Sequence, residues 1–216
     1  MAVYAAQIDR VDQGVGRLLA ALESTGAREN TLVMFLSDNG GCAEFLAEDS
    51  NSPNPAQFDT PMWNGGPMRM GNTPEIDPGP GDTFQSYDLP WANASNTPFR
   101  LHKRWTHEGG ISTPFIMSWP SNTGEPGLLH GPAHIVDIGA TIYDAAGATY
   151  PDELNGNLLN PLEGESFLTV FDGAEFTRQA PICWEHEGNR AVRMGDWKLV
   201  SEGNTRWELY NMADDR

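Results

Sequence analysis

Apolar residues recur at three- and four-residue steps over positions 3 to 25, at Ile8, Val11, Val15, Leu18, Leu19 and Leu22. That spacing is the stripe of an amphipathic helix, about six turns long by its rise per residue. Gly26 stands where a left-handed cap would stop it. The next segment, Thr31-Leu-Val-Met-Phe-Leu-Ser37, is short and apolar without alternation. This predicts a strand covered on both faces and paired in parallel, ending at Asp38-Asn39-Gly40-Gly41. The pattern returns in Thr113-Pro-Phe-Ile-Met-Ser-Trp119, closed by Pro120, and is followed by a helix capped by Asp137 and running through Ile138, Ile142 and Tyr143 to Gly147. Toward the end of the chain, three short runs at 191–194, 197–200 and 207–210 are divided by Gly195-Asp196 and Gly203-Asn204, which are hairpin turn pairs. Helices alternating with buried strands, then hairpins, predict an α/β sheet with a small antiparallel tail.

Between positions 49 and 98 the periodicity disappears. Nine of the sixteen prolines fall there, and Arg69 is its only basic residue. Connections this long are uncommon in compact domains and are usually functional or disordered. Phe58, Trp63, Phe84, Tyr87, Trp91 and, just beyond, Phe99 argue against simple disorder, so an ordered binding loop is expected. The division this implies is an α/β domain over 1–173 carrying the loop 49–98, and an antiparallel subdomain over 174–216.

Length and charge narrow the function classes. A chain of 216 residues suffices for one large domain, or one domain and a small appendage. A net charge of −17 argues against nucleic acid and anionic membrane as partners. No apolar run approaches the ~20 residues of a spanning helix, and Met1-Ala-Val-Tyr-Ala5 lacks the basic start of a signal peptide; as it stands, the chain is expected to be soluble. The two cysteines, Cys42 and Cys183, lack the spacing of a disulfide framework or a zinc site.

Two clusters carry candidate chemistry. Asp38 and Asn39 offer a carboxylate and an amide carbonyl, the oxygen donors a hard cation prefers; the alternative is a plain tight turn, since Asn-Gly is a hairpin signal. Arg100, Lys103 and Arg104 place three of the thirteen cations within five residues, and His102 and His107 add two of the five histidines. These residues suit either an anion site for a sulfuryl or phosphoryl group or a patch neutralising nearby carboxylates. Glu108-Gly109-Gly110 follows, its glycines allowing close backbone approach. His130, His134 and the Trp184-Glu185-His186-Glu187 run are read as packed or capping residues. The sequence holds no Gly-x-Ser-x-Gly elbow, P-loop or His-Glu-x-x-His.

Taken together, Thr31–Gly41, the segment Asn96-Thr-Pro-Phe-Arg-Leu-His-Lys-Arg-Trp-Thr-His-Glu-Gly-Gly-Ile111, His134–Ile138, Arg190–Leu199 and Glu208–Asp215 resemble the arylsulfatases of the alkaline phosphatase-like superfamily. The resemblance implies that Asp38 and Asn39 are the second pair of ligands to a single cation, Ca²⁺, with Mg²⁺ as the alternative. It makes Lys103, five residues before the Glu of Glu-Gly-Gly, the lysine that contacts the sulfate group and the leaving-group oxygen. Arg104 and His107 are expected beside it at the substrate, with no catalytic role transferred to His107, which stands where many relatives carry Tyr. The substrate implied is a sulfate ester, aryl or carbohydrate. Sulfatases attack with a formylglycine made from a Cys/Ser-x-Pro-x-Arg signature, and an Asp-Asp pair near their N-terminus completes the metal site. Neither occurs here: Ser112-Thr113-Pro114 copies part of the signature, with Ile116 in place of Arg. The chain is therefore expected to be the C-terminal part of such an enzyme, inactive alone, with the N-terminal part as its partner and a periplasmic or secreted location for the full-length family member. The rivals are a phosphoesterase of the same superfamily, disfavoured by Asn39 where two-metal sites carry His, and a non-catalytic relic or subunit.

Overall fold

A computed structural model describes residues 1–44, 61–122 and 127–215. Helix α1 spans Ala2–Ser24 and ends as its stripe predicts: Gly26 takes φ 70°, and the Gly26 and Ala27 amides donate back to the carbonyls of Glu23 and Leu22. Along the chain follow β1 (Val33–Leu36), β2 (Arg69–Met70), β3 (Thr83–Phe84), α2 (Asp88–Asn96), α3 (Glu108–Ile111), β4 (Phe115–Ser118) and α4 (Ile135–Ala145). The small hairpin β5 (Glu153–Leu154) and β6 (Asn157–Leu158) precedes β7 (Ile182–His186), β8 (Asn189–Met194), β9 (Trp197–Ser201) and β10 (Glu208–Asn211).

Strand β1 pairs with β4 antiparallel, Val33 opposite Ser118 and Leu36 opposite Phe115, which corrects the parallel, doubly covered expectation. An unbroken apolar run records that both faces favour burial; it does not encode the direction of the neighbour. Nor are these faces fully covered, for Phe35 is 40% and Ile116 is 61% exposed.

The stretch predicted as an ordered binding loop contains a helix. Positions 49–60, with Phe58, lie outside the described residues; beyond them β2 and β3 form a short parallel bridge, and α2 follows. Its sequence conceals it. Pro90 lies in the first turn, where a missing N–H costs nothing; Asn93, Ser95 and Asn96 are weak helix formers, and Ala92 is its one buried residue.

Helix α4 starts at Ile135, two residues before the expected cap. His134 is the N-cap: its Nδ1 accepts from the Val136 amide at 3.4 Å, and Asp137 reaches back to the His134 amide at 2.7 Å. Asp137 thus works from inside the first turn, as a capping box allows. Fully buried, it also accepts from the Glu165 amide at 2.8 Å and pairs with Arg178.

The C-terminal sheet has the order β10-β9-β8-β7, antiparallel throughout, with Gly195 and Gly203 left-handed in the turns as predicted. Strand β7 adds a fourth strand to the three expected runs, joined through Glu187 and Gly188, both at positive φ. Buried apolar side chains concentrate here and beside α4, at Ala140, Phe167, Ile182, Ala191, Val200 and Met212, whereas α1 buries none.

Candidate active site

The turn Asp38–Gly41, just past β1, is laced by backbone to the segment between α2 and β4. The Gly40 amide donates to the Gly110 carbonyl at 2.9 Å, and the Lys103 amide donates to the Gly41 carbonyl at 2.9 Å. These contacts require glycine. A Cβ on Gly40 would lie 1.8 Å from the Gly109 oxygen, and one on Gly109 would lie 2.3 Å from the Arg100 oxygen, distances only bare backbone tolerates. Helix α2 forms the adjoining wall: the Cys42 amide donates to the Tyr87 hydroxyl at 2.9 Å, and the Gly41 amide to Asn96 Oδ1 at 2.9 Å.

The ammonium of Lys103 faces this turn. It donates to Glu44 Oε1 at 3.0 Å; that bond, with the nearby Cys42, Glu44 and Asp38 groups, holds it above the ordinary lysine value and firmly charged. Burial pushes the Cys42 thiol up, which keeps it neutral and a poor nucleophile. Asn39 Nδ2 donates to the Gly40 carbonyl at 2.8 Å, so its Oδ1 is the atom left to meet a cation. One carboxylate and one amide fit a hard cation by type but supply fewer than the six to eight oxygens Ca²⁺ takes. Among the described residues, no group of three or more His, Cys, Asp or Glu is arranged to hold a metal.

Of the rest of the cluster, His102 stays within the loop, its Nδ1 3.0 Å from the Lys103 carbonyl and its ring edge-on to Trp105, whereas Arg100, Arg104 and His107 turn to the C-terminal sheet. Arg100 binds Glu202 at 2.9 Å, Glu208 at 2.7 Å and the Tyr210 hydroxyl at 2.9 Å, while Arg104 pairs with Glu187 at 2.5 Å. His107 is only 4% exposed; its Nε2 lies 3.4 Å from Glu208 Oε2, and its ring meets Tyr210 edge-on. Burial lowers its pKa and favours the neutral imidazole. Behind it, Glu108 and Lys198 form a buried pair at 2.6 Å, with the ammonium 5.3 Å from the Trp184 ring. The three side chains expected at one sulfate have different partners: Lys103 pairs with Glu44, whereas Arg104 and His107 find theirs on the C-terminal sheet. Side chains along an irregular loop fan out, and closeness in sequence does not keep them together. Arg100 and Arg104 match the patch-neutralising alternative.

His134 is the cap described above, its ring against Trp184 at 5.8 Å, as a packed histidine should be. Glu44 and Asn96 join the site without having been assigned a role, and Tyr87, marked above only as one of the aromatics of the loop, joins them. The contacts of Asn96 and Tyr87 depend on α2, which the periodicity did not reveal.

The family model described as "Sulfatase" matches residues 1–148, and that described as "N-sulphoglucosamine sulphohydrolase, C-terminal" matches residues 99–216. An uncharacterised sulfatase of Schizosaccharomyces pombe is 30% identical over the whole chain, which covers 38% of that protein. The arylsulfatase of Klebsiella aerogenes is 32% identical over 84% of the chain and 37% of its own length. Among solved structures, that of Ps i-CgsB superposes with a TM-score of 0.63 over 98% of this chain and 36% of that one, at 24% identity. The chain thus spans somewhat over a third of the length of these relatives.

Proposed function

The chain belongs to the sulfatase family, and from that premise we propose that it forms part of a sulfuric ester hydrolase in which Asp38 and Asn39 hold one side of a cation site and Lys103 contacts the sulfuryl group. The observation that supports this reading is the backbone lacing of the 38–41 turn to the lysine segment, with the Lys103 ammonium bonded to Glu44 and its charge favoured by Glu44, Cys42 and Asp38. A sulfate ester placed there meets a donor that keeps its proton, so Lys103 hydrogen-bonds a sulfuryl oxygen and the oxygen that departs as the S–O bond breaks. Such fixed donors are worth several kcal/mol where charge develops. A bound calcium or magnesium ion would supply Lewis-acid polarisation of the same sulfuryl oxygens. Arg104 and His107 reach substrate, in this reading, only at its periphery. The nucleophile, the acid that protonates the leaving group and the second ligand pair come from a further part of the enzyme, which is also the proposed partner of this chain. The sulfate ester, aryl or carbohydrate, is the proposed substrate class.

In the polypeptide that carries the Cys/Ser-x-Pro-x-Arg signature together with this segment, Lys103→Ala is expected to abolish turnover of 4-nitrophenyl sulfate, and retained turnover would overturn the assignment. Calcium gives a second measurement on the 216 residues themselves. Ligand stabilisation follows RT ln(1 + [L]/Kd) and vanishes when Kd exceeds the ligand concentration. With two donors, millimolar calcium should leave Tm nearly unchanged. A rise of several degrees that disappears in Asp38→Asn would place a complete cation site within this chain.

A further inference from the structure

Asn96, the last residue of α2, uses both ends of its side-chain amide. Oδ1 accepts from the Gly41 amide at 2.9 Å, and Nδ2 donates to the Leu101 carbonyl at 3.0 Å. Gly41 lies two residues beyond Asn39, and Leu101 two residues before Lys103. One rigid, planar group thus ties the turn that carries the proposed ligands to the loop that carries the proposed lysine. The reverse orientation of the amide would set NH₂ against an N–H and carbonyl against carbonyl, so the network fixes the assignment.

The loop needs such a tie. Leu101 and Arg104, on either side of Lys103, have φ of 67° and 96°, left-handed values that non-glycine residues hold only when their surroundings impose them. Gly41 is gripped twice, by Asn96 at its N–H and by the Lys103 amide at its carbonyl. Space beside it is closed, since a Cβ there would come within 2.7 Å of the Ser95 hydroxyl and 2.6 Å of that of Tyr87. The two contacts need both ends of an amide: Asp offers the acceptor without the donor, and Ala offers neither.

We propose that Asn96 is a positioning residue, whose amide sets the Lys103 loop in register with the Asp38-Asn39 turn. The proposal rests on the reading above that these residues serve one site, yet its test needs neither metal, sulfate ester nor turnover, so the two can fail separately. Amide hydrogen exchange on the 216-residue chain is measured by NMR at Gly41, Lys103 and, as a reference in the C-terminal sheet, Val200. Asn96→Ala is expected to speed exchange at Gly41 and Lys103 by roughly tenfold or more while Val200 changes by less than about threefold. Asn96→Asp keeps the acceptor and should restore protection at Gly41 but not at Lys103. Asn93→Ala, on the same helix with its side chain bonded, among the described residues, to the Leu89 carbonyl alone, should alter neither. Unchanged exchange at Gly41 and Lys103, or acceleration that includes Val200 in equal measure, overturns the proposal. So does failure of both Asn96 variants to fold, which would make Asn96 a determinant of global stability.

Discussion

Helix α1 and the C-terminal sheet reverse the usual relation of polarity to burial: Leu18 on α1 is 68% exposed, whereas Lys198 in β9 is 1% exposed. The difference lies in what each side chain has been given to meet. Lys198 finds the Glu108 carboxylate at 2.6 Å and the face of Trp184, which offset the cost of taking its charge from water. The stripe of α1 is as apolar as the sequence promises, but no residue of that helix is buried. A hydrophobic pattern states which face seeks cover, and only tertiary structure states whether cover is present. The proposed partner segment of the enzyme is where that cover would come from.

The largest expected effect tests the buried charge. Lys198→Ala leaves Glu108 desolvated and unpaired, and should cost about 3 to 5 kcal/mol in urea unfolding. Replacing both, as Lys198→Met with Glu108→Leu, should recover most of that loss, since paired apolar groups need no compensation. If the single substitution costs less than about 1 kcal/mol, the carboxylate is reached by water and the contrast with α1 collapses.

Next in size is the response to acid. Hydrogen bonds from Tyr210, then His107 and Arg100, hold the Glu208 carboxyl at about 2 against an ordinary 4.5. The unfolded chain takes up that proton at higher pH than the folded one, so this stabilisation is complete above about 4.5 and is lost as pH falls toward about 2. His107 adds a step in the same direction. Its folded value is depressed by burial, with Arg100 opposing and Glu202 and Glu208 favouring the charged form. The unfolded chain binds its proton near 6.5 before the folded one does, and stability falls as pH drops below that value. Urea midpoints measured from pH 7 to pH 3 should decline in both ranges. Glu208→Gln should remove the lower decline and His107→Asn the upper; a flat profile in the unsubstituted protein would show that the cluster does not hold the C-terminal sheet to the lysine segment.

What the sequence made legible follows from the same contrast. Local rules read α1 to within a residue or two and located the hairpin turns at Gly195 and Gly203, because a helix stripe and a left-handed glycine are decided by neighbours in the chain. The Asp38–Gly41 turn and the basic cluster were likewise marked by composition before any geometry, and the resemblance to the arylsulfatases singled Lys103 out of that cluster. Direction of pairing between β1 and β4 was not legible, since it depends on residues more than seventy positions apart. Helix α2 was hidden by its proline and asparagines, and with it the roles of Asn96 and Tyr87. The division of the basic cluster was hidden as well: Arg100, Lys103 and Arg104 look equivalent in sequence, and only the carboxylates of Glu44, Glu187, Glu202 and Glu208 tell them apart.

The smallest expected effect concerns two exposed apolar positions, one on α1 and one on β4. In Leu18→Ser and Ile116→Ser the folded state gives up little burial, because these side chains are 68% and 61% exposed already. Stability should change by no more than about 0.5 kcal/mol, the usual range for surface positions. Solution behaviour should change more than stability does. An exposed apolar stripe drives association, so the double variant should sediment closer to the monomer and bind less of a hydrophobic dye than the unsubstituted chain. The two measurements separate the alternatives. A loss of more than about 1 kcal/mol from Leu18→Ser alone would mean that the stripe is covered within this polypeptide, and the contrast between α1 and the C-terminal sheet would then reflect where cover is supplied along the chain rather than whether the chain supplies it.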